Sequence, residues 1–291
     1  MPFPFAGKVT VITGGAGGIG LAMARRFAED RMKIVLTDVD ETALAAAAAV
    51  LRGGGADVLP MICDVAQPDE VDSLAAAAWD RFGGVHLLCN NAGVVPSGRA
   101  RPVWDYAPED WRWAFDVNLI GVVNGIRSFV PRMIAAGENA HIVNTASIAG
   151  LVSGPQSVVY SSSKHAVVRV TEALYASLRE AGHPIGVTML CPGLVDTAIY
   201  RSERNRPAHL VPVDGVAVER TDLTDAASKG LPPETVVDML YQAIIDRQFY
   251  VLTSSAYDGM IRDRFEDLIA RRNPTFIDVF TAGDHVPSTR G

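Results

Sequence analysis

The chain has 291 residues, 48% of them hydrophobic and 20% charged. That balance supports a large buried core and excludes a disordered chain. The net charge of -7 at pH 7 argues against nucleic acid or an anionic membrane surface as the main partner. Cys63, Cys89 and Cys191 stand far apart, in or beside apolar runs. They read as buried thiols in a reducing compartment, not as a disulfide framework or metal site. Met1-Pro2-Phe3-Pro4-Phe5 lacks the basic and apolar regions of a signal peptide, and no apolar run approaches the ~20 residues of a membrane span. No membrane partner is expected, and the expected location is the cytoplasm.

Residues 9–13 form a short β-branched run, hence a buried strand. Gly14-Gly15-Ala16-Gly17-Gly18-Ile19-Gly20 follows, and helical periodicity continues over 21–30. Strand, glycine turn and helix are the context of a pyrophosphate site. Glycines such as Gly14, Gly18 and Gly20 let the backbone approach phosphates, and a helix N-terminus favours their charge. A second strand over 33–37 ends at Asp38. A carboxylate about 20 residues past the glycines can accept hydrogen bonds from the adenosine ribose and repels a 2′-phosphate. The glycine loop carries no arginine or lysine, so NAD is favoured over NADP. Asp40 competes for this role but is better placed to cap the helix that begins at Glu41.

An alanine-rich helix over 41–52 stops at Gly53-Gly54-Gly55. A third strand over 57–63 ends at Asp64 and Val65. Asp64 has two readings: a partner for the adenine amino group, or a turn aspartate before the helix at 68–82. A fourth strand over 86–90 runs into Asn91-Ala92-Gly93. Strands alternating with helices at this spacing imply right-handed crossovers and a parallel sheet. The expected architecture is a single doubly wound α/β domain, with a seven-stranded parallel sheet and helices on both faces. Ligands bind such sheets at the carboxyl ends of the strands, where Gly14, Asp38, Asp64 and Asn91 all fall.

Residues 94–107 form a Pro/Gly/Arg loop in which Trp104 and Tyr106 either line a pocket or pack under the loop. One long helix is expected over 108–136. Asn118 lies in its interior, where asparagine is disfavoured; a side chain bonded to a nearby carbonyl would account for it. Gly121 and Gly125 suggest close packing or a local deviation. A fifth strand over 141–145 leads to Ser147, which points into the crevice. The next helix carries Tyr160 and Lys164, four apart and so on one face. A free phenol has pKa about 10, and a nearby cation favours the phenolate, which makes the pair an acid/base device. His165 has no paired ligand and reads as a packing or surface histidine; no metal is expected. A sixth strand over 185–190 closes at Cys191-Pro192-Gly193.

Residues 194–230 are long and irregular, the mark of a lid or a mobile loop. Arg201, Arg204, Arg206 and His209 are expected to be solvated there, with an anionic substrate as the sharper alternative. A helix over 232–246, a seventh strand over 250–252 and an amphipathic helix over 258–272 complete the chain before a Pro/Gly tail.

Together, Thr13-Gly14-x-x-x-Gly18-Ile19-Gly20, Asn90-Asn91-Ala92-Gly93, Asn118, Ser147, Tyr160-x-x-x-Lys164 and Pro192-Gly193 with Thr197 resemble the pattern of the classical short-chain dehydrogenases/reductases. The likeness spans roughly residues 6–255, with Ser147 standing 13 residues before Tyr160 as in that family. Thr145-Ala146-Ser147 departs mildly, since many relatives carry two serines. The resemblance implies a Rossmann fold, a small-molecule alcohol or ketone substrate, and hydride transfer with a nicotinamide cofactor. It implies Tyr160 as general acid in reduction and general base in oxidation. Lys164 would lower the phenol pKa and hold the nicotinamide ribose, and Ser147 would stabilise charge on the substrate oxygen. Asn118 would hold a relay water. Ile19 and Asn91, with Ala92 and Gly93 alongside, would meet the cofactor backbone and ribose, and Val65 would flank Asp64. Pro192, Gly193, Val195 and Thr197 would line the nicotinamide side. It also implies a homodimer or homotetramer built through the helices at 108–136 and 157–181. The C-terminal extension, about 256–291, resembles that of relatives that oxidise benzylic alcohols of lignin-type aromatics, which implies a bulky aromatic or alicyclic substrate. Two alternatives stand beside this: an NADPH-dependent ketone reductase, and a nucleotide-sensing regulatory protein, whose mark would be a broken catalytic set.

Overall fold

The computed structural model describes residues 5–96, 102–152, 158–212 and 228–274. Seven parallel strands form one sheet: β1 (Val9–Thr13), β2 (Lys33–Asp38), β3 (Val58–Ile62), β4 (Leu87–Asn90), β5 (Ala140–Thr145), β6 (Ile185–Cys191) and β7 (Tyr250–Leu252). Their spatial order is β3-β2-β1-β4-β5-β6-β7. The chain winds outward from β1 to β3, then returns to the other side of β1. The reversal between β1 and β4 opens a crevice at their carboxyl ends.

Successive side chains of a strand point to opposite faces, and in this sheet both faces are buried. In β2, Ile34 and Leu36 enter one core and Val35 the other. The first core is roofed by α1 (Gly18–Glu29), α2 (Glu41–Gly53) and α7 (Pro233–Asp246), through residues such as Phe27, Leu44 and Leu240. The second is roofed by α3 (Pro68–Phe82), α5 (Gly121–Ala136) and α6 (Val158–Glu180), through Leu74, Phe129 and Leu178. The doubly wound, seven-stranded expectation is met. Double burial explains why the strands read as near-continuous apolar runs.

The helix expected over 108–136 is not continuous. It begins as α4 (Pro108–Phe115), widens into a π turn at Asp116–Ile120, and resumes as α5. Asn118 lies in that wide turn, so the residue that suits an α-helix poorly sits where the helix is not α. Below it the backbone presses on the sheet. A Cβ on Gly121 would fall 2.6 Å from Val65 Cγ2, and one on Gly125 would overlap the Asn90 amide. The run Pro108–Ala136 is also long and apolar enough to cross a bilayer by length and composition, with mean hydropathy 1.2 over an 18-residue window, where the sequence suggested no such run. Its Trp113, Phe129 and Met133 are instead buried in the fold.

The lid region differs from expectation as well. Residues Ala198–Asn205 and Ala208–Leu210 form 3-10 turns, and the Arg206 side chain is 2% exposed. Residues 97–101, 153–157 and 213–227, which include Pro155 and parts of both expected loops, lie outside the described residues. Trp104 is 81% exposed and is not among the described residues that line the crevice. After β7, a turn at Ser255–Tyr257 leads into α8 (Asp258–Ile269), which folds back over the segment after β5.

Candidate active site

One wall of the crevice is mostly main chain. Gly14 has φ +62, and a Cβ there would sit 2.8 Å from Ala92 Cα, so the turns after β1 and β4 touch. A side chain at Gly20 would overlap the Gly14 carbonyl and the Asn91 amide. Asn91 laces these turns together. Its Nδ2 donates to the Thr13 carbonyl at 3.1 Å and the Gly14 carbonyl at 3.4 Å, and Thr145 Oγ1 donates to its Oδ1 at 3.3 Å. Thr13 Oγ1 in turn accepts the Asn91 and Ala92 N–H groups at 2.9 and 3.0 Å. The first turn of α1 carries no acidic residue, so its positive end stays available to an anion.

At the end of β2 the Asp38 carboxylate is half-buried and held in place. Oδ2 accepts from Ala16 N–H and Oδ1 from Asp40 N–H, both at 3.1 Å. Lys164 and Arg204 are the lysine and arginine among the described cavity-lining residues, and both come from elements beyond β5. Asp40 caps α2, accepting the Ala43 N–H at 3.0 Å. Asp64 accepts the Ala66 N–H at 3.0 Å as a turn residue does, yet it also lines the cavity beside Val65. Val65 is held by Asn124 Nδ2, which donates to its carbonyl at 2.9 Å. A glycine cradle, an open helix N-terminus and a fixed carboxylate with no cation from β1 to β5 beside it among the described cavity-lining residues fit a dinucleotide whose ribose hydroxyls are free.

The reaction centre opens into the same cavity, where Ser147, Tyr160 and Lys164 meet the glycine turn. Lys164 is 2% exposed. Its Nζ donates to the Thr145 carbonyl at 2.8 Å and lies 5.9 Å from the Tyr160 ring centroid. Burial lowers its pKa to about 8, against a pull upward from Cys191. Tyr160 keeps some solvent contact through the cavity, but its hydroxyl end is enclosed. Burial pushes its pKa up to about 12, with a hydrogen bond between it and Ser147 acting in the opposite sense. This corrects the expectation that Lys164 pulls the phenol down. An enclosed site disfavours phenolate and ammonium alike, and here that outweighs a cation already bonded to a carbonyl. At neutral pH Tyr160 therefore carries its proton. Ser147 is buried, its Oγ accepting the Ala149 N–H at 3.1 Å and donating to the Pro192 carbonyl at 3.4 Å.

Of the residues the sequence suggested for catalysis or cofactor binding, Gly20 and Asn118 do not line the cavity; the others do. Asn118 is fully buried and acts as a brace. Its Oδ1 accepts the Val94 N–H at 2.7 Å, and its Nδ2 donates to the Val94 carbonyl at 3.0 Å and to Ser163 Oγ at 2.9 Å. It sits directly behind Gly93, where a Cβ would be 3.3 Å from both Asn118 Oδ1 and Lys164 Nζ. His165 bonds the Gly150 carbonyl through Nδ1 at 2.7 Å, a packing role. The three cysteines are free and buried, and burial pushes each thiol up to about 12.

The opposite wall is built of side chains that sequence reasoning missed. Val95, Trp113, Ile148, Leu194, Tyr200 and Tyr257 contribute to it. Behind Trp113 lies an ion-pair strut. Arg206 Nη2 meets Asp110 Oδ1 at 2.7 Å, its Nε approaches Glu203 Oε2 at 2.8 Å, and its Nη1 donates to the Leu210 carbonyl at 2.9 Å. The Nε approach is close but poorly aligned for a hydrogen bond. The guanidinium lies 4.3 Å from the Trp113 ring centroid, within cation–π range. The strut fastens the lid turns to α4. Nothing local marks this pair, since Asp110 reads as an ordinary first-turn acid and its partner is 96 residues away.

Comparison with known proteins agrees with this geometry. The family model described as short chain dehydrogenase matches residues 8–208, more than half of the chain. A CLA biosynthesis dehydrogenase/reductase of Lactiplantibacillus plantarum is 35% identical over 277 residues, covering 93% of this chain and 96% of the relative. A 1-deoxy-11-beta-hydroxypentalenate dehydrogenase of Streptomyces exfoliatus is 36% identical over 262 residues, covering 90% and 88%. The crystal structure of a short chain dehydrogenase/reductase from Burkholderia phymatum in complex with NAD is 45% identical, with a TM-score of 0.90 over 94% of this chain and 98% of its own.

Proposed function

The chain belongs to the short-chain dehydrogenase/reductase family of oxidoreductases acting on CH–OH groups, and we propose that it interconverts a bulky secondary alcohol and its ketone with NAD. The observation that carries this reading is the convergence of Ser147, Tyr160 and Lys164 on the cavity that also holds the glycine turn and Asp38. The cofactor would accept the hydride as NAD in oxidation and supply it as NADH in reduction.

The chain's own residues do the rest. Ser147 Oγ holds the substrate oxygen and stabilises the charge that builds there. Tyr160, protonated at neutral pH, gives its proton to that oxygen in reduction, and its phenolate takes one from the hydroxyl in oxidation. Lys164, buried and charged below about pH 8, supplies the positive potential that makes a transient phenolate bearable. Asn118 fixes the main chain at Val94 and so the shape of the floor under Lys164. Asp38 selects a cofactor with a free 2′-hydroxyl, because a phosphate there would meet a fixed carboxylate. The wall of Trp113, Ile148, Leu194, Tyr200 and Tyr257 excludes water and suits an apolar, ring-bearing substrate. The nearby NAD complex and the relatives' names as dehydrogenases support the cofactor and reaction class.

The test is NAD reduction, followed across linear, alicyclic, steroid and aryl secondary carbinols, with NADP in parallel. Turnover with bulky carbinols and a clear preference for NAD is the expected result. NAD binding without turnover of any carbinol or ketone would instead favour a nucleotide-sensing role.

A further inference from the structure

Beyond β7 the chain returns to the crevice. Thr253 is buried, and its Oγ1 accepts the Gly193 N–H at 3.0 Å. Tyr257 is 8% exposed and fills the space beside Gly193: a Cβ there would lie 2.8 Å from Tyr257 Cε2 and 3.3 Å from its hydroxyl oxygen. A hydrogen bond from the Leu194 backbone reaches the same phenol. From the other side, the Pro192 carbonyl accepts the Ile148 N–H at 2.9 Å and the Ser147 hydroxyl at 3.4 Å. The Pro192–Leu194 turn is thus clamped between the reaction centre and the C-terminal segment.

The clamp has its own support. Tyr257 packs with Ile148 and Val152, and behind it stand Met260 and Ile261 of α8. Arg264 of α8 also bonds the Leu151 carbonyl. A rigid ring is therefore presented to the cavity from a braced platform, packed on Ile148, the residue after Ser147. Only glycine at 193 leaves room for it.

Resting on the reading that a carbinol is oxidised here, we propose that Tyr257 determines specificity and positions the Pro192–Leu194 turn. Its ring is the wall against which an alicyclic or aryl carbinol lies, and its hydroxyl holds the turn in place. Rigid aromatic surface favours a flat or cyclic hydrocarbon partner over a flexible chain, because less freedom is lost on contact.

The experiment compares wild type, Tyr257→Ala and Tyr257→Phe on a cyclic carbinol and a short linear secondary alcohol. The dissociation constant for NAD and the Tm are measured on each protein. Tyr257→Ala is expected to raise KM for the cyclic carbinol about 10–100-fold and for the linear alcohol less than about threefold. Tyr257→Phe keeps the ring and folds where alanine leaves a void. It should recover that KM while lowering kcat about two- to tenfold on both alcohols, through a loosened turn. NAD affinity should stay within about twofold throughout, since most of the nucleotide would be held by the glycine turn and Asp38 and only its nicotinamide end by the Pro192–Leu194 turn. Equal KM changes for both alcohols, an unchanged KM, or NAD affinity falling in step would overturn the assignment. Calorimetric binding of the cyclic ketone to the NADH complex needs no turnover. Wild-type binding that Tyr257→Ala weakens about tenfold, without any catalysis, would keep the wall and remove the reaction. Catalysis without Tyr257 selectivity would do the reverse.

Discussion

The two walls of the crevice are made of different material. The nucleotide wall is backbone: turns after β1 and β4, held by Thr13 and Asn91, with Asp38 pinned at a strand end. The substrate wall is side chain: Trp113 from α4, Tyr200 from the lid, Tyr257 from the C-terminal segment. Backbone presents the same donors whatever the neighbouring residues, so the first wall suits a constant cofactor. Side chains can be exchanged one at a time, so the second suits a substrate that differs between relatives. Tyr160, Lys164 and Ser147 stand where the walls meet.

That contrast can be broken first at the ion-pair strut. Arg206→Ala leaves Asp110 buried beside an unpaired wall and should destabilise the protein by about 3–5 kcal/mol. A urea titration measures this. Arg206→Met combined with Asp110→Leu should recover most of the loss, as apolar replacement of a buried pair often does. If Arg206→Ala costs nothing, the strut does not hold the lid. On the other wall, Asp38→Ser should leave stability nearly untouched and narrow the preference for NAD over NADP by about 10–100-fold, since about 1.4–2.7 kcal/mol of repulsion would be relieved. Cofactor titrations of both variants separate the walls, because Arg206→Ala should not alter the NAD/NADP ratio.

The gentlest probe is pH. On the proposed mechanism oxidation needs the Tyr160 phenolate, and burial pushes that phenol's pKa up to about 12. Below that value the ionised fraction rises about tenfold per pH unit, so kcat/KM for oxidation should climb from neutral into alkaline buffer. The slope should soften above about pH 8, as Lys164 loses its charge. Reduction uses the protonated phenol and should stay level or fall across the same range. Tyr257→Ala should shift neither curve, because the substrate wall contributes no titrating group to the step. An acid optimum for oxidation would contradict the assignment of Tyr160.

How far the sequence could be read follows the same division. Val9–Thr13, the glycine turn and Asp38 announce themselves through local pattern, because a strand, a turn and a helix start are each made within a few residues. Strand alternation with helices then implied a parallel, doubly wound sheet, since crossovers have one hand, but the order of its strands came only with the fold. Asn118 could be flagged as out of place in a helix, yet the π turn that houses it depends on Gly121 meeting Val65 from another element. The Lys164 effect on Tyr160 was misjudged because spacing shows proximity along a helix but not enclosure. Arg206 looked solvated because its partner lies in a different helix. Tyr257 carried no signal at all: it is one aromatic between a strand and an amphipathic helix, and only the fold brings it to Gly193.

The most direct measurement is a paired one on Tyr160→Phe, with turnover and NAD affinity read on a single preparation. Removing the proton carrier should lower kcat about 10²–10⁴-fold while the NAD dissociation constant stays within about twofold, because that hydroxyl belongs to the reaction centre and not to the glycine cradle. Near-normal turnover in that variant would show that another group moves the proton and would overturn the catalytic account built on Ser147, Tyr160 and Lys164.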